Sequence, residues 1–114
     1  MTPLRLAAVS SHPRHALVGQ VLEALNELGW VLDSHPYSNL ALAIHFELSS
    51  RQLHRLRAGL TALPLKLSES SLAALAELEG APAMELPEAV PGSLHLTFQH
   101  AEPVLRSEIP AVPG

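Results

Sequence analysis

Apolar residues change their period several times along this chain, and each change marks an element. Leu4–Ser10 (LRLAAVS) is a short apolar run followed by a polar loop containing Pro13, and it reads as a strand. From Arg14 the spacing turns helical: Leu17, Val18, Val21, Leu22, Leu25 and Leu28 share one stripe, with Gln20, Glu23 and Glu27 opposite. Gly29 stands where a left-handed C-terminal cap is expected. Gly19, inside the helix, costs about 1 kcal/mol relative to alanine and is expected to permit close packing on a sheet. Trp30–His35 is a second expected strand, ended by the turn-forming group Pro36-Tyr37-Ser38-Asn39. The next segment, LALAIHFEL, alternates cleanly, with Leu40, Leu42, Ile44, Phe46 and Leu48 on one face and Ala41, Ala43, His45 and Glu47 on the other.

Ser49-Ser50-Arg51-Gln52 reads as a capping box, Ser49 accepting from the backbone and Gln52 reaching back. Leu53, Leu56, Leu60 and Leu63 continue as a helical stripe that Pro64 halts, and Leu65–Ser68 is expected as a short fourth strand. Ser71–Glu79 reads as a short helix closed by Gly80, and residues 81–92, with three prolines, as a connector. Ser93–Gln99 alternates again and is expected as an added edge strand. The order βαββαβ predicts an α+β, ferredoxin-like antiparallel sheet with two helices on one face and strand order 4-1-3-2, extended by the C-terminal short helix and strand. Residues 1–100 then form a single domain whose C-terminal extension begins near residue 69, and residues 101–114 form a proline-rich tail.

Composition narrows the chemistry. At 114 residues the chain suits one domain, and with 47% hydrophobic residues but only two Phe, one Trp and one Tyr its core must be built from Leu, Ala and Val. Seven basic residues against eleven acidic ones, a net charge of −4, argue against a phosphate-binding surface for nucleic acid. The absence of cysteine excludes disulfides and thiolate chemistry. No apolar run reaches membrane-spanning length and the N-terminal one is too short for a signal peptide, so the expectation is a cytoplasmic protein with no membrane partner.

The run Pro13-Arg14-His15-Ala16-Leu17-Val18, followed by Val21, Leu25, Gly29 and Val31-Leu32-Asp33-Ser34-His35, resembles the start of an ACT domain. The resemblance covers about residues 4–68. It implies a ferredoxin-like regulatory module that holds an amino-acid effector at a loop, usually at a dimer interface. The family's Pro-Gly falls on His15-Ala16 here, and its loop Asp falls near Pro13. Ala16 thus stands where a glycine would let the backbone approach the effector.

Candidate chemistry gathers in the same loop. The start of the first helix offers backbone N–H groups to a small anion, with Arg14 and His15 beside them. The ligand-binding candidates are Ser11, His12, Arg14, His15, Ala16, His35 and Asn39, which the expected strand order brings to one edge. Seven histidines are many for this length, and His12, His15 and His35 form a candidate zinc or nickel set. His45 and Glu47 lie on an open sheet face where neither a third catalytic group nor a pocket is evident. No base-stacking aromatic falls on the outer face of the first or third strand, which excludes an RNA-recognition surface. The expected function is therefore a non-enzymatic small-molecule-binding or regulatory interaction module without a cofactor, its ligand an amino acid or another small anion. The alternative is a metal-responsive protein. The small outward residues of the third strand further predict a homodimer through the uncovered sheet face, unless residues 70–99 fold back over it.

Overall fold

The computed structural model describes residues 3–38, 40–82 and 86–99. The chain runs through β1 (Leu4–Ser10), α1 (Arg14–Leu28), β2 (Gly29–Ser38) and β3 (Ala41–Ser49). It continues through a 3-10 segment (Ser50–Arg55), α2 (Leu56–Thr61), β4 (Lys66–Leu67), α3 (Glu69–Gly80) and β5 (Ala89–Phe98). The result is an α+β fold with a five-stranded mixed sheet in the order β2-β3-β5-β1-β4.

That order departs from the ferredoxin-like 4-1-3-2 arrangement. The last strand is not an added edge: it lies between β3, to which it is antiparallel, and β1, to which it is parallel. Two physical features account for this. Val90, Leu94, Leu96 and Phe98 give β5 a fully apolar inner face, each of them 1% exposed or less. The segment expected as the fourth strand shrinks to the two residues of β4, which pair only with Ala8 and Val9 and cannot cover a sheet. Pro91 is tolerated because it lies just ahead of the first β5–β1 pair, Leu4 with Gly92.

All helices share one side. Leu17, Val21 and Leu25 of α1, Leu56 and Leu60 of α2 and Leu75 of α3 enter one core with the inward residues of β1, β3 and β5. The segment expected as one helix after Ser49 is split. The three-residue step from Leu53 to Leu56 suits a 3-10 turn and the four-residue step to Leu60 suits an α turn. Ser49 Oγ accepts from the Arg51 N–H at 3.3 Å, but Gln52 does not reach back; its Oε1 accepts from Arg55 instead. The box is half formed.

α3 starts earlier than its hydrophobic pattern suggests, because Ser68 caps it. Ser68 Oγ accepts the Ser71 N–H, and the Ser68 N–H donates to the Ala7 carbonyl at 2.9 Å. The buried Ser71 Oγ accepts the Ala7 N–H at 2.8 Å, continuing along β1 the edge pairing that β4 is too short to supply. Ser71→Ala is expected to cost about 1–3 kcal/mol by leaving that N–H unpaired. Urea denaturation checks this, and an unchanged midpoint would mean that water replaces the hydroxyl.

The interior glycine of α1 plays no packing role. Gly19 is exposed, and a methyl group there meets nothing within 4 Å. Gly19→Ala should therefore raise stability by about 0.5–1 kcal/mol, read as a higher melting temperature; a lower one would place Gly19 against a neighbour.

Candidate functional site

The loop between β1 and α1 lies at one end of the sheet, beside the end of β2. Arg14 Nη1 donates to the Ser38 carbonyl at 2.9 Å, tying the start of α1 to the end of β2. The Gln99 N–H donates to Ser10 O and the Phe98 N–H to Leu40 O, so β1, β5 and β3 meet at this same end. Buried Ser10 organises the turn. Its hydroxyl donates to Pro64 O at 2.6 Å and accepts from the His12 N–H at 3.0 Å.

The candidate residues do not converge as one site. Ser11 and His12 line an open depression of about 510 Å³ with Lys66 and Gln99. The Arg14 guanidinium bonds Ser38, while His15 and Ala16 are exposed on the first turn of α1. His35 belongs to a different group on the open face, and Asn39 lies outside the described residues, as does the tail from residue 100. Among the described residues no three His, Asp or Glu side chains are grouped as a metal ion requires, so His12, His15 and His35 do not form such a set.

The open face of the sheet holds a denser constellation. Cross-strand register sets Asp33, His45, Ser93 and Arg5 in one row across β2, β3, β5 and β1. His45 Nδ1 lies 2.7 Å from Asp33 Oδ1. The next row is His35, Ala43, His95 and Ala7. Above it Tyr37 meets His35 edge-on, with centroids 5.6 Å apart, and stacks on His95 at 5.9 Å. Ala43 points outward as its parity requires, yet it is 0% exposed among these rings. A shallow depression of about 640 Å³ follows the first row, lined by Arg5, Asp33, His45, Ser93 and His95.

Large apolar side chains are interspersed with the polar ones on this face. Trp30, Leu32 and Tyr37 of β2 are 46%, 54% and 60% exposed, and Val9 of β1 is also exposed. Neither α3 nor β5 covers the face: α3 joins the core on the far side and β5 joins the sheet. Among the described residues no helix is long and apolar enough to cross a membrane.

Several of these residues were out of reach of the sequence pattern. Asp33 and Tyr37 reach the face because β2 is bulged between Val31 and Asp33, which reverses the alternation that starts from Trp30. Arg5, Ser93 and His95 become neighbours of the group only because β5 lies beside both β1 and β3. Alternation in SLHLTFQ did mark His95 as outward. Compared with protein-family models, curated proteins and solved structures, the chain matches none.

Proposed function

We propose that this chain is a non-enzymatic interaction module, regulatory in character as its resemblance to ACT domains implies, and that it works by burying the uncovered sheet face against another protein surface. One observation carries the reading: Trp30, Leu32 and Tyr37 are all exposed along β2, interleaved with the polar Asp33 and His35. Single exposed apolar residues are ordinary on a protein surface; three large ones along one edge strand, with polar groups between them, give the mixed apolar and polar character of a contact site. The rings and the branched side chain supply large contact area at small cost in rotamer freedom.

Site-specific photo-crosslinking in cells tests the reading. A photoreactive side chain at position 32 should give discrete crosslinked products, and the same group at position 19 on the exposed side of α1 should not. Equal or absent crosslinking from both positions would defeat the interaction reading.

A second reading, small-anion binding, is supported by Lys66 and His12 sharing the depression beside the start of α1. Titration with glutamate and with inorganic phosphate, followed by the amide signals of Ser11 and His12, should show saturable shifts that Lys66→Ala removes. Shifts that are absent, or that survive this change, would exclude that site.

A further inference from the structure

We propose that the partner of the open sheet face is a second copy of this chain, docked face to face about a two-fold axis that runs parallel to the strands. This rests on the interaction reading above and deepens it by naming the occupant and the geometry. The argument comes from how charge and bulk are distributed across the face.

Charge is divided by halves. The β2–β3 half carries Asp33 and Glu47, and the β1–β4 half carries Arg5 and Lys66, which pair in register with Ser93 and Val9 respectively. Between Asp33 and Arg5 lie His45 and Ser93, so the two opposite charges stand three strand spacings, about 14 Å, apart in a single row. Such a face is acidic along one side and basic along the other.

Bulk is divided the same way. Trp30, Leu32 and Tyr37 project from β2, while the outward positions toward β1 are Pro3, Ala7 and Val9, with Arg5 among them. One flank is raised by large side chains and the other is low.

Two orientations of a two-fold axis stack such a face on itself. An axis lying in the interface across the strands sets Asp33 over Asp33, Arg5 over Arg5 and the raised flank over the raised flank. That arrangement places like charges opposite one another and prevents close approach. An axis parallel to the strands, above the seam between β3 and β5, exchanges the flanks. Asp33 of each copy then faces Arg5 of the other, and Trp30 faces the low end near Pro3.

This second arrangement keeps strand directions aligned, as in sheet-on-sheet sandwiches whose layers lie about 10 Å apart. An aspartate and an extended arginine span that gap. The interface is isologous, so each complementary contact is made twice. His45 keeps its own partner, since its Nδ1 is engaged by Asp33 within the chain, and Asp33 has a second carboxylate oxygen for the arginine.

Sedimentation velocity of the full chain, with its charge-reversed variants, tests the proposal. The native protein should sediment at about twice its 12.2 kDa chain mass at micromolar concentration. Arg5→Asp and Asp33→Arg, each shown folded by circular dichroism, should weaken association by about tenfold or more through like-charge repulsion. Combining them restores opposite charges across the interface, and the double variant should associate more tightly than either single one. Native protein that stays monomeric to about 100 μM, a thousandfold above the range of many specific complexes, overturns the proposal. Dimerisation that ignores both reversals, or a double variant weaker than each single one, overturns it too. The interaction reading is judged separately: crosslinks from position 32 to a different protein, with a monomeric chain, retain that reading and sink the dimer.

Discussion

Truncating Phe98 to alanine is expected to cost about 3–5 kcal/mol, a large part of the about 5–15 kcal/mol that holds a domain of this size together. Phe98 is 1% exposed at the end of β5, where its backbone pairs with Ser10 of β1 and its N–H donates to Leu40 O. The cost follows from β5 being enclosed by two strands and covered by the helical layer. The cavity cannot collapse because its walls belong to three elements held by backbone ladders. Equilibrium urea denaturation gives the number. Tyr37→Ala supplies the contrast, because that ring is 60% exposed on the edge strand β2 and should cost about 1 kcal/mol or less. Comparable losses at the two positions would contradict the central placement of β5.

Gly29→Ala is the second severe change, expected at or above the upper end of the about 1–3 kcal/mol typical of overpacking. The reason is not backbone conformation. Gly29 has φ −174°, which is extended rather than left-handed, and it opens β2 while its N–H bonds Leu25 O. A methyl group there would lie 2.1 Å from the Glu47 carbonyl oxygen and 2.7 Å from Leu48 Cα. Both are backbone atoms of β3, so neither can rotate away; β2 has to lift from β3 at the pair Gly29–Leu48. The melting temperature of Gly29→Ala beside Gly19→Ala measures the difference directly. A fall in the first with a rise in the second is the expected pattern, and a mild effect at Gly29 would mean that the strands separate easily at this corner.

The glycine pair also shows where sequence reasoning stops. Position after a helix rightly marked Gly29 as a boundary, but the left-handed cap expected there does not form. What demands glycine is β3 passing over it, a contact between residues nearly twenty positions apart that no local signal announces. Gly19 looked like a packing glycine on the same local evidence and faces solvent. Pro36 looked like the end of a strand, yet β2 continues to Ser38 because an edge strand tolerates a missing N–H.

The candidate surface divides along the same line. Alternation over residues 40–48 placed His45 and Glu47 outward, and the small Ala41 and Ala43 beside them pointed to a face seeking a partner. The pairing of His45 with Asp33 could not be read, because the bulge at Leu32 shifts the parity of everything after it. The row that ends in Arg5 depends on three separate strand pairings, each set by the whole sheet.

What the sequence determined by itself was local and periodic: the strand at Leu4–Ser10, the helix at Arg14–Leu28, the alternation of β3, and the inward and outward halves of β5. Those features follow from the repeat of side-chain direction along one segment, which needs no knowledge of any other. The tertiary structure alone decided the order of the strands. β5 takes the centre because its wholly apolar inner face is best buried between two strands, and β4 stays at the rim because two residues offer little to bury. Strand order is set by competition among segments for shared hydrogen-bonding edges and a shared core, and that competition is resolved only when all of them pack together.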